Sequence, residues 1–156
     1  MILIDSNIPM TWARVNGQQT LFAMASWGGL PALLAGPGVE RMERIGAVTI
    51  APHPGHGVWI ESVVADDGGT WYGYYHHEIA GEVCGRPQQS VLRIGAAKSG
   101  DRGLTWENLG VVVEGPPGGT DCATNNRFVL GGVGDLSAIL DPQHRDLFLF
   151  LSQYSK

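Results

Sequence analysis

Charge is scarce in this chain: 16% of its 156 residues are Asp, Glu, Lys or Arg, and the net charge is −5. The 10 Lys and Arg residues are scattered, so no basic stripe exists to neutralise phosphates. That argues against nucleic acid and against an anionic membrane surface as partners, and a neutral ligand suits the field better than a polyanion. No apolar run approaches the roughly 20 residues that cross a bilayer as a helix. The opening MILIDSNIPM has neither a positively charged start nor a long apolar core, so no secretory leader is read there and a cytoplasmic location is expected. Cys84 and Cys122 are the only 2 cysteines, and their spacing makes no metal-type pair. Two free thiols are expected, with a disulfide between long loops, and hence export, as the alternative. Helical periodicity is missing too. No metal or other cofactor is expected.

Glycine is what the chain has in excess, with 23 residues, and it clusters between apolar runs in a sequence that is 44% hydrophobic. That pattern reads as many short strands joined by tight turns. Three segments share one design. Thr11–Val15, a turn at Asn16-Gly17 and Thr20–Ser26 form the first. Trp59–Val64, a turn at Asp66–Gly69 and Thr70–His76 form the second; Asp135–Leu140, a turn at Asp141–His144 and Leu147–Ser152 form the third. Each predicts a β-hairpin whose near-continuous apolar character fits strands covered on both faces. A further hairpin follows the first two: Ala32–Ala35 with Met42–Ile50, and Arg93–Ala97 with Thr105–Val113.

Two hairpins in succession make a four-stranded meander, the blade of a β-propeller. The fold class expected is therefore all-β, a single partial propeller domain over residues 1–156. Blade A spans about 10–50, blade B about 58–114 and the first half of blade C about 134–156, or about two and a half blades where closure takes roughly 4 to 8. A second copy or a companion chain would complete it.

The last turn of blade B reads Ser99-Gly100-Asp101-Arg102-Gly103-Leu104-Thr105-Trp106. In every defining position this resembles the Asp box, S-x-D-x-G-x-T-W, of sialidase-type and related propellers. Its implied role is structural, a turn lock formed by Ser99, Asp101, Gly103, Thr105 and Trp106. More broadly, Gly57–Glu61 with Tyr72–His76, and Gly132–Ser137, resemble the blade-opening segments of five-bladed propeller glycoside hydrolases, the arabinanase and levansucrase superfamily. In those enzymes acidic residues near the start of innermost strands carry the chemistry. The chain departs from that pattern in blade A, whose inner strand Thr11–Val15 has no acid, although Asp5 lies just upstream.

Propeller geometry places the long connections His76–Leu92 and Glu114–Gly134, with the Ala51–Val58 lead-in, on one face, where loops usually carry function. Glu61 and Asp135 are the candidate catalytic pair there, because glycosidic cleavage needs two carboxyls flanking the bond. Trp59, His76, His77, Glu78, Asn126 and Arg127 are candidate substrate-binding residues; His53 and His56 lie nearby in sequence. The function expected is a glycoside hydrolase-like protein that acts on or binds a neutral oligosaccharide. A non-catalytic carbohydrate-binding or scaffolding propeller is the first alternative. A sialidase-like enzyme is the second; it would want convergent arginines, and only Arg86, Arg93 and Arg127 lie in or beside these loops.

Overall fold

The computed structural model describes residues 7–27, 30–55, 57–80 and 83–154; Asp5 and His56 lie outside them. Among the described residues there are strands and two short 3-10 turns, at Val39–Arg41 and Val83–Gly85. The chain is all-β.

The first sheet is a meander, β1 (Met10–Val15), β2 (Gln18–Trp27), β3 (Leu30–Gly36) and β4 (Glu43–Ala47), with every neighbouring pair antiparallel. Asn16 and Gly17 close its first hairpin with φ of 50° and 81°, the two positive values that a tight two-residue hairpin turn requires. The second sheet is another meander, β6 (Val58–Ala65), β7 (Trp71–Ala80), β8 (Ser90–Ser99) and β9 (Thr105–Glu114). The third hairpin is β10 (Val129–Leu140) with β11 (Leu147–Gln153).

Apolar side chains on both faces of a strand need cover on both faces. On β2 the run Leu21–Ala25 is buried throughout. Its Phe22 and Met24 meet Ile60, Trp71, Tyr75 and Trp106 of the second sheet, with Phe22 set edge-on to Trp71 at 5.2 Å. The opposite face of the second sheet is covered by the third hairpin, where Ile94 and Tyr74 pack on Val133, Leu136 and Leu149. Thus the second sheet lies between its neighbours, with β1 and β10 both in contact with β6.

Three turns share one device. Asp66 Oδ1 accepts from Thr70 N–H at 2.8 Å, Asp101 Oδ1 from Thr105 N–H at 2.9 Å, and Asp141 Oδ1 from Asp146 N–H at 2.9 Å. Within the Asp box, Ser99 Oγ donates to Asp101 Oδ1 and accepts from Gly103 N–H. Trp106 Nε1 donates to Gly103 O at 2.9 Å while its ring fills the core between the first two sheets.

The structure corrects several boundaries. Met42–Ile50 is not one strand: β4 ends at Ala47, and β5 (Thr49–Ala51) leaves the first sheet to pair in parallel with Thr105–Glu107 of β9. Val48, buried between the two, anchors the crossing. Strand β7 runs on to Ala80 and β8 begins at Ser90, so His76, His77 and Glu78 lie within a strand rather than at its exit. Strand β10 begins at Val129, not Gly134, because its first residues pair in parallel with Ser90–Leu92 of β8. Gly132 permits that approach: its φ is +103°, and a Cβ there would stand 2.1 Å from Leu92 O. Finally, Cys84 and Cys122 are not free thiols. They form a disulfide with Cα atoms 5.5 Å apart, joining the β7–β8 and β9–β10 loops.

Candidate functional site

Glu61 and Asp135 occupy equivalent irregularities. The register of β6 against β7 shifts between Ile60 and Ser62, and that of β10 against β11 shifts between Gly134 and Leu136. Each acid is the extra residue of a β-bulge, a device that turns a side chain out of the ladder's alternation. At Asp135 the backbone adopts φ +42°. The two bulges meet where β6 packs against β10.

His76 stands between them. It pairs across the strands with Trp59, whose ring lies edge-on at 5.7 Å. His76 Nδ1 is 3.8 Å from Glu61 Oε1 and 3.9 Å from Asp135 Oδ1. Two backbone donors of β10 fix the arrangement: Leu136 N–H to Glu61 Oε2 at 2.8 Å, and Asp135 N–H to His76 Nδ1 at 3.2 Å. Gly134 gives the ring its room, since a Cβ there would come within 2.7 Å of His76. Tyr154, just beyond β11, donates its hydroxyl to Asp135 Oδ2.

Exposure separates the two acids. The Glu61 side chain is 1% exposed and that of Asp135 is 50% exposed. Burial lowers the His76 pKa, against the opposing pull of Glu78 and Asp135, so the ring is neutral at pH 7. Its Nδ1 accepts from Asp135 N–H, which puts the proton on Nε2, 3.5 Å from Glu78 Oε1. Burial, and then the Asp135 carboxylate, push the Tyr154 hydroxyl up to about 12, so Tyr154 stays a donor. The result is a half-exposed carboxylate oriented by a phenol, with a buried carboxylate and a neutral imidazole behind it. Glu61, His76 and Asp135 each offer one ligand atom within 4.8 Å of the others, so the same set could hold a divalent cation.

Of the residues singled out in the sequence, the structure gathers Glu61, Asp135, Trp59, His76 and Glu78. It does not bring the others to them. His77 is buried with Tyr75 on the other face of β7, and lines a cavity of about 550 Å3 with Arg93, Asn108 and Val111. Burial, and then Arg93, lower its pKa. Asn126 and Arg127 line a separate cavity with Arg86, and the Asn126 Oδ1 is used by Phe128 and Val129 N–H at 2.9 Å each. Tyr154 escaped sequence reading. It lies one residue past β11, opposite Gly132, whose carbonyl accepts its N–H at 2.9 Å, and only its side chain reaches back to Asp135.

No family model, curated protein or solved structure matches this chain.

Proposed function

We propose that the protein is a partial β-propeller of the glycosidase type, acting on an oligosaccharide through Asp135 and Glu61. The observation that carries this is the convergence of two acids 74 positions apart (135 less 61), one on a bulge of β6 and one on a bulge of β10, with His76 between them. The successive packing of β1, β6 and β10 supports the propeller arrangement. Asp135, half-exposed, meets the sugar as nucleophile or base. Glu61 is the second carboxyl, and His76 and Tyr154 hold the pair. Trp59 orients His76 rather than stacking on sugar.

The burial of Glu61 favours a second reading, in which the three residues lock two sheets together and the face binds glycan without cleaving it. Hydrolysis separates the two: Asp135→Asn and Glu61→Gln are expected to abolish cleavage of an aryl-glycoside panel, and a wild-type protein that binds but never cleaves supports the lock. The disulfide supports an oxidising compartment against the cytoplasmic location expected from the opening residues.

A further inference from the structure

On the face of β7 opposite His76, two rows of cross-strand partners build the floor of a separate cavity. His77 pairs with Arg93 and Arg93 with Glu114; Tyr75 pairs with Gly95 and Gly95 with Val111. Gly95 makes the hollow. A Cβ there would collide with the Tyr75 ring, so the phenol lies over the bare backbone of β8. The cavity, of about 550 Å3, is bounded by Pro54 and Gly55 of the lead-in to β6 and by Ile79, Asn108 and Val111. Its floor is buried, with Tyr75 1% and His77 9% exposed. Asn108 fixes the walls: its Oδ1 accepts from Tyr75 OH at 2.9 Å and from Gly110 N–H at 2.8 Å, and its Nδ2 donates to Pro52 O at 3.1 Å. A cavity held this way needs little ordering when a ligand arrives.

One group on that floor is left unmet. His77 Nδ1 is buried without a hydrogen-bond partner. Its Nε2 faces bare backbone, since a Cβ at Gly55 would stand 3.5 Å away. Buried polar atoms are nearly always satisfied, and an exception on a cavity wall calls for a group from outside the chain. A neutral imidazole offers one donor and one acceptor, and a hydroxyl, itself both, matches it. The cation of the floor, Arg93, is paired with Glu114 at 3.1 Å, so it does not select an anion. Glu78 at the rim disfavours one, and the chain's net charge of −5 points the same way. Tyr75, Ile79 and Val111 supply apolar surface beside the imidazole.

We infer that this cavity holds a neutral sugar ring, with one hydroxyl bonded to His77 and the C–H face of the ring against Tyr75 and Val111. The inference rests on the glycan reading above and adds a second place where the glycan is held. Strand β7 joins the two places. His76 faces the acid site and His77 the cavity, while Glu78, whose Oε1 is 3.5 Å from His76 Nε2, also lines the cavity.

Nitrogen NMR of the histidine rings tests this on the full chain, titrated with neutral trisaccharides (arabinotriose, xylotriose, cellotriose, maltotriose) and with cyclohexanol. The spectrum of His77→Phe identifies the His77 signals. At least one sugar is expected to shift them saturably, and cyclohexanol, an apolar ring with a single hydroxyl, to shift them less. Val111→Arg lays a long side chain across the mouth of the cavity and is expected to abolish the shift; Val111 is exposed, so the core is untouched. His77→Phe keeps a ring of similar size and removes the unmet nitrogen, so the chain folds. Its affinity for that sugar, read by calorimetry, is expected to fall about tenfold. His77 nitrogens that no sugar moves, an equal response to cyclohexanol, a shift that survives Val111→Arg, or unchanged affinity in His77→Phe overturns the proposal. Aryl-glycoside hydrolysis, measured separately, reports on Asp135 and Glu61 whatever the His77 nitrogens do.

Discussion

Asp101 sits at the tip of a turn and is nonetheless among the most heavily hydrogen-bonded acids of the chain. Burial pushes its carboxyl up, but bonds from Thr105, Ser99 and Leu104 outweigh that and hold it below the ordinary carboxylate range. Removing it strands Leu104 and Thr105 N–H and loosens the loop that seats Trp106. Asp101→Ala is expected to cost about 1–2 kcal/mol in denaturant unfolding, discounted for the turn's exposure. The histidines make a different prediction. Burial lowers the pKa of both His76 and His77 below 6.5, so the unfolded chain binds more protons than the folded one in that range. Their contribution is complete above the unfolded value and is lost as pH falls below it. Unfolding midpoints are expected to fall between pH 7 and pH 5, and His77→Gln to flatten that slope. At this scale Glu61 and Asp135 were legible in the sequence because acids inside apolar strands are costly without a purpose. Tyr154 was not, since it lies past β11 and only its side chain reaches back to Asp135.

The hairpins were legible as elements because their turns carry Asn-Gly, Asp-Gly or Asp-Pro and their strands are aromatic and branched. What failed was the treatment of places where a strand changes partner. Nothing in Met42–Ile50 announces that β5 crosses to β9, and nothing in the glycines before Asp135 announces a parallel pairing with β8. Both depend on contacts between sheets rather than on local propensity. Cys84 and Cys122, 38 residues apart, gave no sign by spacing; only the meeting of two loops pairs them. Joining loops that far apart stabilises the folded chain mainly by restricting the unfolded one. Replacing both cysteines with serine is expected to cost about 2–4 kcal/mol, read from the shift in denaturant midpoint, and the oxidised protein is expected to show no thiol titre when unfolded.

Across the whole molecule, the stacked sheets leave apolar surface at both ends of the array. On the third hairpin Ile139, Phe148 and Phe150 are more than half exposed, and on β1 Trp12 is 53% exposed. Under the propeller reading these are the faces that a second copy covers. Sedimentation is expected to return a dimer that Phe150→Lys disperses; a monomer at every concentration contradicts that completion. The pairing of sheets, and hence the meeting of acids distant in sequence, is the part of the site that repeats in the sequence made legible. The cavity lined by Arg86, Asn126 and Arg127 was not, because its walls come from loops without repeat or regular period.

Hydrolysis by the acid variants tests the central claim most directly. Against a panel of aryl glycosides, in the presence of EDTA, the wild-type chain is expected to cleave at least one substrate. Asp135→Asn and Glu61→Gln are each expected to lose about a thousandfold in rate with little change in melting temperature. Cleavage that persists in both variants, or that chelation abolishes, would contradict a carboxylate pair as the working chemistry of this site.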